Sequence, residues 1–216
     1  MLDILKKYKL KISITLLIAF YVSGLIGILT NSSTIDFLSL TPLNLIVNMV
    51  LLLANHQFGK RNLLLIFFSI GLLGFFIELL GVNTGIIFGE YTYGETLGWK
   101  FFETPLIIGV NWIMLTYAVV YTIGNRIINN VVKALVCAAI LVALDFLIEP
   151  VAIAYDFWSW ENEVIPLKNY IAWFCISFVF CFAIAKYKNE SKNDLAPFLL
   201  LFQFIFFGIF NFVLWK

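Results

Sequence analysis

Long apolar stretches, separated by short polar segments, run along most of this 216-residue chain. The apolar runs cover residues 12–30, 35–54, 62–81, 105–124, 131–150, 167–185 and 195–215. A helix that crosses a bilayer needs about 20 mostly apolar residues, and each run has about that length. None shows the strict alternation of a membrane β-strand, which favours helices over a barrel. The pattern predicts an all-α integral membrane protein with about seven transmembrane helices, of which 35–54 is the least regular because Pro42 and several polar residues interrupt it.

The composition leads to the same class of protein. Hydrophobic residues make up 62% of the chain and charged residues 12%, whereas soluble domains have roughly 45–50% and about 25%. A soluble core of this size could not bury so many apolar side chains, so the lipid bilayer must surround most of them. We therefore expect one polytopic membrane domain that covers residues 1–216.

The basic residues predict the orientation in the membrane. Eleven of the fourteen lie on one side of the predicted spans, namely Lys6, Lys7, Lys9, Lys11, Lys60, Arg61, Arg126, Lys133, Lys186, Lys188 and Lys192. Lysine and arginine mark the cytoplasmic face, so we expect a multi-pass protein of the cell membrane with its N-terminus inside and its C-terminus outside. No small-residue cleavage site follows the first apolar run, which predicts an uncleaved first helix. The net charge of +1 argues against nucleic acid as a partner.

Several kinds of chemistry are excluded by what the chain lacks. Its three cysteines all lie in apolar runs without metal-ligand spacing, and we interpret them as core or lipid-facing residues. His56 is the one histidine and falls in a short basic connection, where we expect a solvated or interfacial side chain. A single histidine cannot supply the ligands of a histidine-box di-iron enzyme. We therefore predict neither a metal nor a redox cofactor.

Two acidic residues stand inside apolar runs. Glu78 lies near the end of the third run and Asp145 within the fifth. An ionisable side chain at membrane depth is costly and indicates a functional site. Glu149, one helical turn after Asp145, is a secondary candidate. The candidate catalytic residues are thus three carboxylic acids.

The two longest connections on the predicted outer side share a pattern with these acids. Glu78 precedes the segment Tyr91–Tyr93, and Asp145 precedes the segment Trp158–Trp160. The distance from the acid to the second aromatic residue is fifteen positions in both cases. The match predicts a parallel internal duplication of a helix–aromatic loop–helix unit, with copies at about 62–124 and 131–185.

The helices that follow strengthen the pattern. Pro105 and Pro166 each precede a leucine at a predicted helix start, where proline is favoured. A tryptophan follows each proline by seven residues, Trp112 in one copy and Trp173 in the other. Repeat interfaces in membrane proteins often hold a binding site. Chance together with an ordinary aromatic belt at the membrane surface is the competing explanation.

The duplication predicts that Glu78 and Asp145 point into the bundle and share one cavity. Two carboxyl groups in such a place favour one protonated acid and one carboxylate, which suits acid–base catalysis. The alternative is a pair of structural acids that lock helices together. Asn111 and Asn169 near the helix starts either position water or join helices. The candidate substrate-binding residues are Tyr91, Tyr93, Asn111, Trp112, Trp158, Trp160, Asn169 and Trp173.

Three stretches of the chain resemble a known family. They are Glu78-Leu-Leu-Gly-Val-Asn-Thr-Gly85 with Phe88-Gly-Glu-Tyr-Thr-Tyr93, Pro105-Leu-Ile-Ile-Gly-Val-Asn-Trp112 with Tyr117, and Asp145-Phe-Leu-Ile-Glu-Pro150 with Trp158-Ser-Trp160 and Pro166-Leu-Lys-Asn-Tyr-Ile-Ala-Trp173. Together they resemble the integral-membrane carotenoid biosynthesis family that includes the carotenoid 1,2-hydratases and bisanhydrobacterioruberin hydratase. The resemblance covers about residues 70–180, and the flanking helices carry no recognisable signal.

This resemblance implies addition of water to the terminal double bond of an acyclic carotenoid, an isoprenoid substrate. A carboxylic acid would protonate the alkene, and water would capture the resulting tertiary carbocation, so that no cofactor is needed. Aromatic ring faces can stabilise such a cation. The bilayer, the carotenoid and other enzymes of the pathway are the expected partners.

Two other functions stay open on the residues alone. A membrane cyclase of the lycopene-cyclase type would use the same protonation but end in ring closure, and the segment from Asp145 to Leu167 loosely resembles that family too. A non-catalytic carotenoid-binding protein would need the aromatic residues but not the acids. The mass of the product separates a hydratase from a cyclase, because hydration adds one water and cyclisation adds nothing.

Overall fold

The computed structural model describes residues 2–30, 35–57, 64–187 and 191–215, with side chains from residue 8 onward. Seven α-helices lie within these ranges: α1 Leu2–Leu29, α2 Thr41–Asn55, α3 Leu64–Thr84, α4 Ile107–Ile123, α5 Asn130–Ala154, α6 Leu167–Tyr187 and α7 Ala196–Leu214. Four short strands lie in the connections: β1 Tyr91–Tyr93, β2 Lys100–Phe101, β3 Thr104–Pro105 and β4 Trp158–Trp160. A 3₁₀ turn, Glu161–Glu163, follows β4. The predicted all-α fold is therefore confirmed for the described residues.

Five of these helices are long and apolar enough to cross a membrane: α1, α3, α5, α6 and α7. Helix α2 has 15 residues and α4 has 17, which correspond to about 22 Å and about 26 Å, less than the ~30 Å of a hydrocarbon core. The predicted run 35–54 loses its first residues because the helix begins at Thr41, with Pro42 in its first turn. A count of seven complete spans stays a prediction.

Helix α4 is the centre of the bundle. It packs against α2, α3, α5, α6 and α7, and the side chains from Met114 to Tyr121 are all buried. A helix that is apolar on every side is typical of a protein core or a membrane span, and here the neighbouring helices bury α4. Its position lets residues from three surrounding helices, α3, α5 and α6, meet around its N-terminal half.

Glycines allow α3 to approach α4 closely. A Cβ atom built on Gly71 would lie 2.6 Å from Ile113 Cδ1, and one on Gly74 would lie 2.8 Å from the Trp112 ring. Neither approach leaves room for a methyl group. The α3–α4 contact therefore depends on small residues, as expected for helices packed in a membrane.

The connection after α3 and the connection after α5 pair with each other at the C-terminal ends of these two helices. Strands β1 and β4 pair antiparallel, with Tyr91 opposite Trp160, Thr92 opposite Ser159 and Tyr93 opposite Trp158. Strands β2 and β3 form a separate short hairpin. The β1–β4 pair brings the two predicted repeat units into direct contact over the end of the bundle.

His56 differs from its prediction. Its side chain is 7% exposed, and its Nδ1 lies 2.8 Å from the hydroxyl of Tyr117 on α4. Asn193 Nδ2 donates to the same hydroxyl at 2.6 Å. The expected solvated loop residue is thus part of a buried polar cluster, because α4 offers it a hydrogen-bonding hydroxyl.

Candidate functional site

A small polar cavity lies beneath the β1–β4 pair, between α3, α4, α5 and α6. It measures about 30 Å³, enough for one or two water molecules. The residues that line it are Glu78, Phe88, Tyr91, Tyr93, Ile108, Asn111, Trp112, Glu149, Trp158, Trp160, Asn169 and Trp173. Two carboxyl groups, two amides and six electron-rich rings thus surround one small volume.

Glu78 on α3 binds three donors. The Tyr91 and Tyr93 hydroxyls both donate to its Oε2, at 2.6 Å and 2.9 Å, and the Trp112 indole N–H donates to its Oε1 at 3.1 Å. In this way one carboxyl group holds the aromatic pair of β1 and the first tryptophan of α4. The carboxyl group is buried, so these bonds replace the water it would otherwise bind.

Glu149 on α5 has the same relation to β4. The indole N–H groups of Trp158 and Trp160 donate to its Oε2 at 3.0 Å and 2.7 Å. Its Oε1 accepts from Asn169 Nδ2 at 3.0 Å. An indole can only donate, so Oε2 of this carboxyl group is held as an acceptor.

Asp145 lies one turn deeper on α5 and is fully buried. Its Oδ2 accepts from Asn169 Nδ2 at 3.0 Å, and within the described ranges its Oδ1 has no hydrogen-bond partner. Asn169 therefore connects two carboxyl groups. Asp145 does not line the cavity. Its hydrogen bond with Asn169, which does line it, connects Asp145 to the cavity.

The strand pair turns its aromatic residues toward the cavity. Successive side chains of a strand point to opposite faces, so Thr92 and Ser159 face outward and their hydroxyl oxygens lie 3.2 Å apart. The inward-facing rings contact one another, with Tyr91 and Trp160 at 5.1 Å between centroids. The rings thus form the outer wall of the cavity.

The opposite wall comes from two stacked tryptophans. Trp112 of α4 and Trp173 of α6 lie 4.4 Å apart with an angle of 28° between the rings. They are the residues that follow the two prolines at equal spacing. The interaction brings the two predicted repeat units together a second time.

Burial and charge act on the two phenols. Burial, and then the carboxylate of Glu78, raise the pKa of Tyr91 and of Tyr93 well above the ordinary value of a tyrosine. Both hydroxyls therefore stay protonated and available as donors over the usual pH range.

A wider polar cleft lies outside the Tyr91–Trp160 contact. It measures about 510 Å³ and includes Glu90, Thr92, Ser159 and Glu161 together with those two rings. A hydrogen bond to Glu90, and then the charge of Glu90, raise the pKa of Glu161. The two rings line both this open cleft and the inner cavity.

Ten of the eleven residues that the sequence predicts for the site line the cavity, and Asp145 does not. The predicted pairing of Glu78 with Asp145 differs from the structure in this respect. Glu78 lies six residues before the end of α3, and Glu149 lies five before the end of α5, whereas Asp145 lies nine before it. Glu149 therefore matches Glu78 in depth and in its aromatic partners.

Two residues of the lining were not predicted. Phe88 packs against Gly81, where a Cβ atom would lie 2.5 Å from its ring, and Ile108 lies on the first turn of α4. The glycine on α3 was visible in the sequence, but nothing there indicated its partner. Among the described residues, no group of three or more His, Cys, Asp or Glu side chains could hold a metal ion.

Comparison with known proteins places the chain in a family. Residues 39–215 match the family model described as carotenoid biosynthesis protein, so the similarity extends beyond the 70–180 predicted from the motifs and includes α2 and α7. The chain is also 30% identical over 134 residues to bisanhydrobacterioruberin hydratase of Haloarcula japonica, a match that covers 56% of this chain and 42% of that protein. The match thus spans less than half the length of this relative. No solved structure matches the chain.

Proposed function

Because the chain belongs to the carotenoid biosynthesis protein family, we propose that it adds water across the terminal double bond of an acyclic carotenoid end group. The observation that carries this proposal is the pair of buried carboxyl groups, Glu78 and Glu149, on one ring-lined cavity with room for water. Addition of water to a trisubstituted alkene needs a proton donor, a site that tolerates a cation, and a base beside the water. The cavity has a candidate for each.

Glu78 is the proposed proton donor. Its partners on Oε2 are phenol hydroxyls, which can accept a hydrogen bond as well as donate one. If Glu78 carries a proton, a tyrosine hydroxyl can accept the hydrogen bond from it, so two donors need not point at each other. Transfer of that proton to the less substituted alkene carbon forms a C–H bond and leaves a tertiary carbocation on the neighbouring carbon.

Glu149 is the proposed carboxylate. Two indole N–H groups and an amide N–H point at its oxygens, an arrangement that favours the charged form. The carboxylate stabilises the cation. As the oxygen of a water molecule bonds to the cationic carbon, the carboxylate takes one proton from that water. The product is a tertiary alcohol, and a proton returns from Glu149 to Glu78 through water.

The rings and one amide complete the proposed site. Aromatic faces attract a cation by about 2 kcal/mol or more when desolvated, and Trp112 and Trp173 offer a stacked pair. Asn111 lines the cavity, and we assign it the task of orienting the attacking water. Asp145 acts through Asn169 as a positioning residue.

The membrane arrangement belongs to the proposal. The site lies near the outer ends of α3 and α5 if the N-terminus is inside, so water enters from the outer cleft while the polyene stays in the lipid. We propose seven passes through the cell membrane, with α2 and α4 as the two short ones, and a duplication of the units 62–124 and 131–185. Other enzymes of the pathway are the proposed partners.

The test is expression of the full chain in cells that accumulate lycopene, followed by mass analysis of the pigments. The compound in the name of the Haloarcula relative is the second substrate to supply. We expect a product heavier by one water, and growth in ¹⁸O-labelled water should place the label in the new hydroxyl. Glu78→Gln and Glu149→Gln should each lower product formation by roughly 100-fold or more, the range that general acid–base groups contribute.

The matched control is Glu95→Gln, which changes an exposed acid that forms an ion pair with Lys100 outside the cavity and should leave product formation within twofold. A product with the same mass as the substrate and a closed ring would show a cyclase instead of a hydratase. Pigments that are identical with the wild type, Glu78→Gln and Glu149→Gln would leave a non-catalytic carotenoid-binding protein.

A further inference from the structure

A second cavity lies among the outer halves of α1, α2 and α7 and the end of α5. It measures about 150 Å³, several times the volume of the carboxyl-lined cavity. Phenylalanine and aliphatic side chains form most of its wall, and among the described residues that line it none is Asp, Glu, Lys, Arg or His. The cavity is therefore suited to an apolar and uncharged molecule.

Uncompensated polar groups are nevertheless built into this wall. Asn44 Oδ1 is buried and has no hydrogen-bond partner within the described ranges. Gln203 lines the cavity at 6% exposure, and none of the described residues forms a hydrogen bond with its amide. Tyr21 accepts a bond from Asn48 Nδ2 at 3.2 Å, which leaves its own hydroxyl proton for another acceptor.

Buried amides and hydroxyls are normally paired, because burial without a partner is unfavourable. Asn44 and Gln203 are two such groups, and Tyr21 on the same wall has a proton to donate, so the cavity suits a ligand that brings its own polar group. An acceptor at Asn44, an amide at Gln203 and a donor at Tyr21 fit a hydroxyl, which both donates and accepts. The uncharged wall disfavours a phosphate or carboxylate.

Two consecutive residues of the chain line the two cavities. Phe157 lines the larger cavity and Trp158 lines the smaller one. These consecutive residues, whose rings lie 6.3 Å apart, form part of the wall between the two. The two cavities are therefore adjacent at this segment.

We propose that the larger cavity binds a neutral, hydroxyl-bearing polyene, with Gln203 and Asn44 as the groups that recognise the hydroxyl. This inference rests on the proposed hydration, whose product is a tertiary alcohol on a polyene, and it makes the larger cavity a product site. The apolar wall holds the end of the chain, and the hydroxyl completes the hydrogen bonds of the amides.

The experiment measures binding to the purified full chain in lipid nanodiscs, by quenching of tryptophan fluorescence. The probes are 1-hydroxy-1,2-dihydrolycopene and lycopene, and all variants carry Glu78→Gln so that lycopene is not consumed. Gln203→Leu should weaken binding of the hydroxylated probe about tenfold, the effect of one good hydrogen bond. Binding of lycopene should change by less than twofold. Asn44→Leu serves as a second variant should Gln203→Leu fail to fold.

A matched pair of glycines tests the volume of the cavity. Gly24 lines it, and a Cβ atom there would meet only Phe206 Cε2 at 3.8 Å, so Gly24→Leu should extend into the cavity and weaken binding of the hydroxylated probe. Gly208 lies on α7 with nothing within 4 Å of a built Cβ atom, and Gly208→Leu should bind that probe as the parent does.

Equal affinity for both probes in the parent, Gln203→Leu and Gly24→Leu proteins would overturn the inference. So would a phospholipid that stays in the cavity and that neither polyene displaces. Failure of the proposed function is a separate result: chains without Glu78→Gln would then produce no hydrated carotenoid, while the effect of Gln203→Leu on the hydroxylated probe would persist.

Discussion

At the scale of single residues, hydrogen bonds to buried carboxyl groups explain why this chain has so many aromatic side chains at its helix ends. Three of the six tryptophans, Trp112, Trp158 and Trp160, donate to Glu78 or Glu149. Two others, Trp99 and Trp215, are 87% and 89% exposed, as a membrane-surface belt would require. The aromatic belt therefore accounts for some of these residues, and the cavity accounts for the rest.

Gly74 controls the position of the Trp112 ring. We expect Gly74→Ala to destabilise the protein by about 1–3 kcal/mol, the usual range for an overpacked contact, because the added methyl group would lie 2.8 Å from the ring. The shift should also lengthen the bond from the indole to Glu78 and lower product formation. Thermal unfolding in detergent and the pigment assay measure the two effects. Gly208→Ala, which meets nothing within 4 Å, is the control, and equal unfolding temperatures for the two variants would contradict the packing argument.

Tyr91 and Tyr93 predict an alkaline limit to stability. Their pKa is raised well above its ordinary value in the folded protein, first by burial and then by the Glu78 carboxylate, whereas the unfolded chain releases these protons near pH 10. The unfolded state thus holds fewer protons above pH 10, and the stability that the phenols provide below this pH is lost as the pH rises further. The apparent unfolding temperature should fall more steeply between pH 9 and 11 in the wild type than in a Tyr91→Phe/Tyr93→Phe variant. Parallel curves would show that the phenols are not buried as described.

The sequence could indicate which residue types surround the cavity but not which acid faces it. Asp145 and Glu149 are four residues apart, so they lie on the same face of α5, and either could have been the partner of Glu78. The equal spacing of fifteen favoured Asp145. In the structure, the tryptophans of β4 reach Glu149. The position of β4 along α5 depends on its pairing with β1, which is far away in the chain.

At the scale of elements, the decisive feature is the pairing of two three-residue strands. Each strand alone is too short to be stable, and β1 and β4 are separated by two whole helices. Local sequence patterns carry no information about such a pair. The equal spacing of the prolines and aromatic residues nevertheless predicted that the two loops are alike. In the structure, the antiparallel β1–β4 pair joins the two loops.

A disulfide tests the register of this pair. Thr92 and Ser159 are opposite one another with their hydroxyl oxygens 3.2 Å apart, so Thr92→Cys together with Ser159→Cys should form a disulfide under mild oxidation. Both side chains point away from the cavity, and we expect product formation within twofold of the wild type. Mass spectrometry of proteolytic peptides detects the bond. Thr92→Cys with Glu163→Cys, which are not paired in the sheet, is the control that should not cross-link.

At the scale of the whole molecule, both cavities and both strand pairs belong to the same half of the bundle. The opposite half holds the cluster of His56, Tyr117 and Asn193, whose hydrogen bonds are satisfied internally. The central helix α4 separates these two halves with a length of buried apolar residues. The two polar clusters thus meet α4 at different heights, one at Trp112 and the other at Tyr117.

The orientation of the bundle decides from which side water reaches the cavity, and the basic residues predict the outside. Two highly exposed positions test it. Trp99, 87% exposed, lies in the connection between α3 and α4, and Ile128, 90% exposed, lies between α4 and α5. In a Cys175→Ala background, which removes the exposed native cysteine, Trp99→Cys should react with a membrane-impermeant maleimide on intact cells. Ile128→Cys should react only after the cells are opened. The reverse pattern would put the polar cleft on the cytoplasmic side, and water would then reach Glu78 and Glu149 from the cytoplasm.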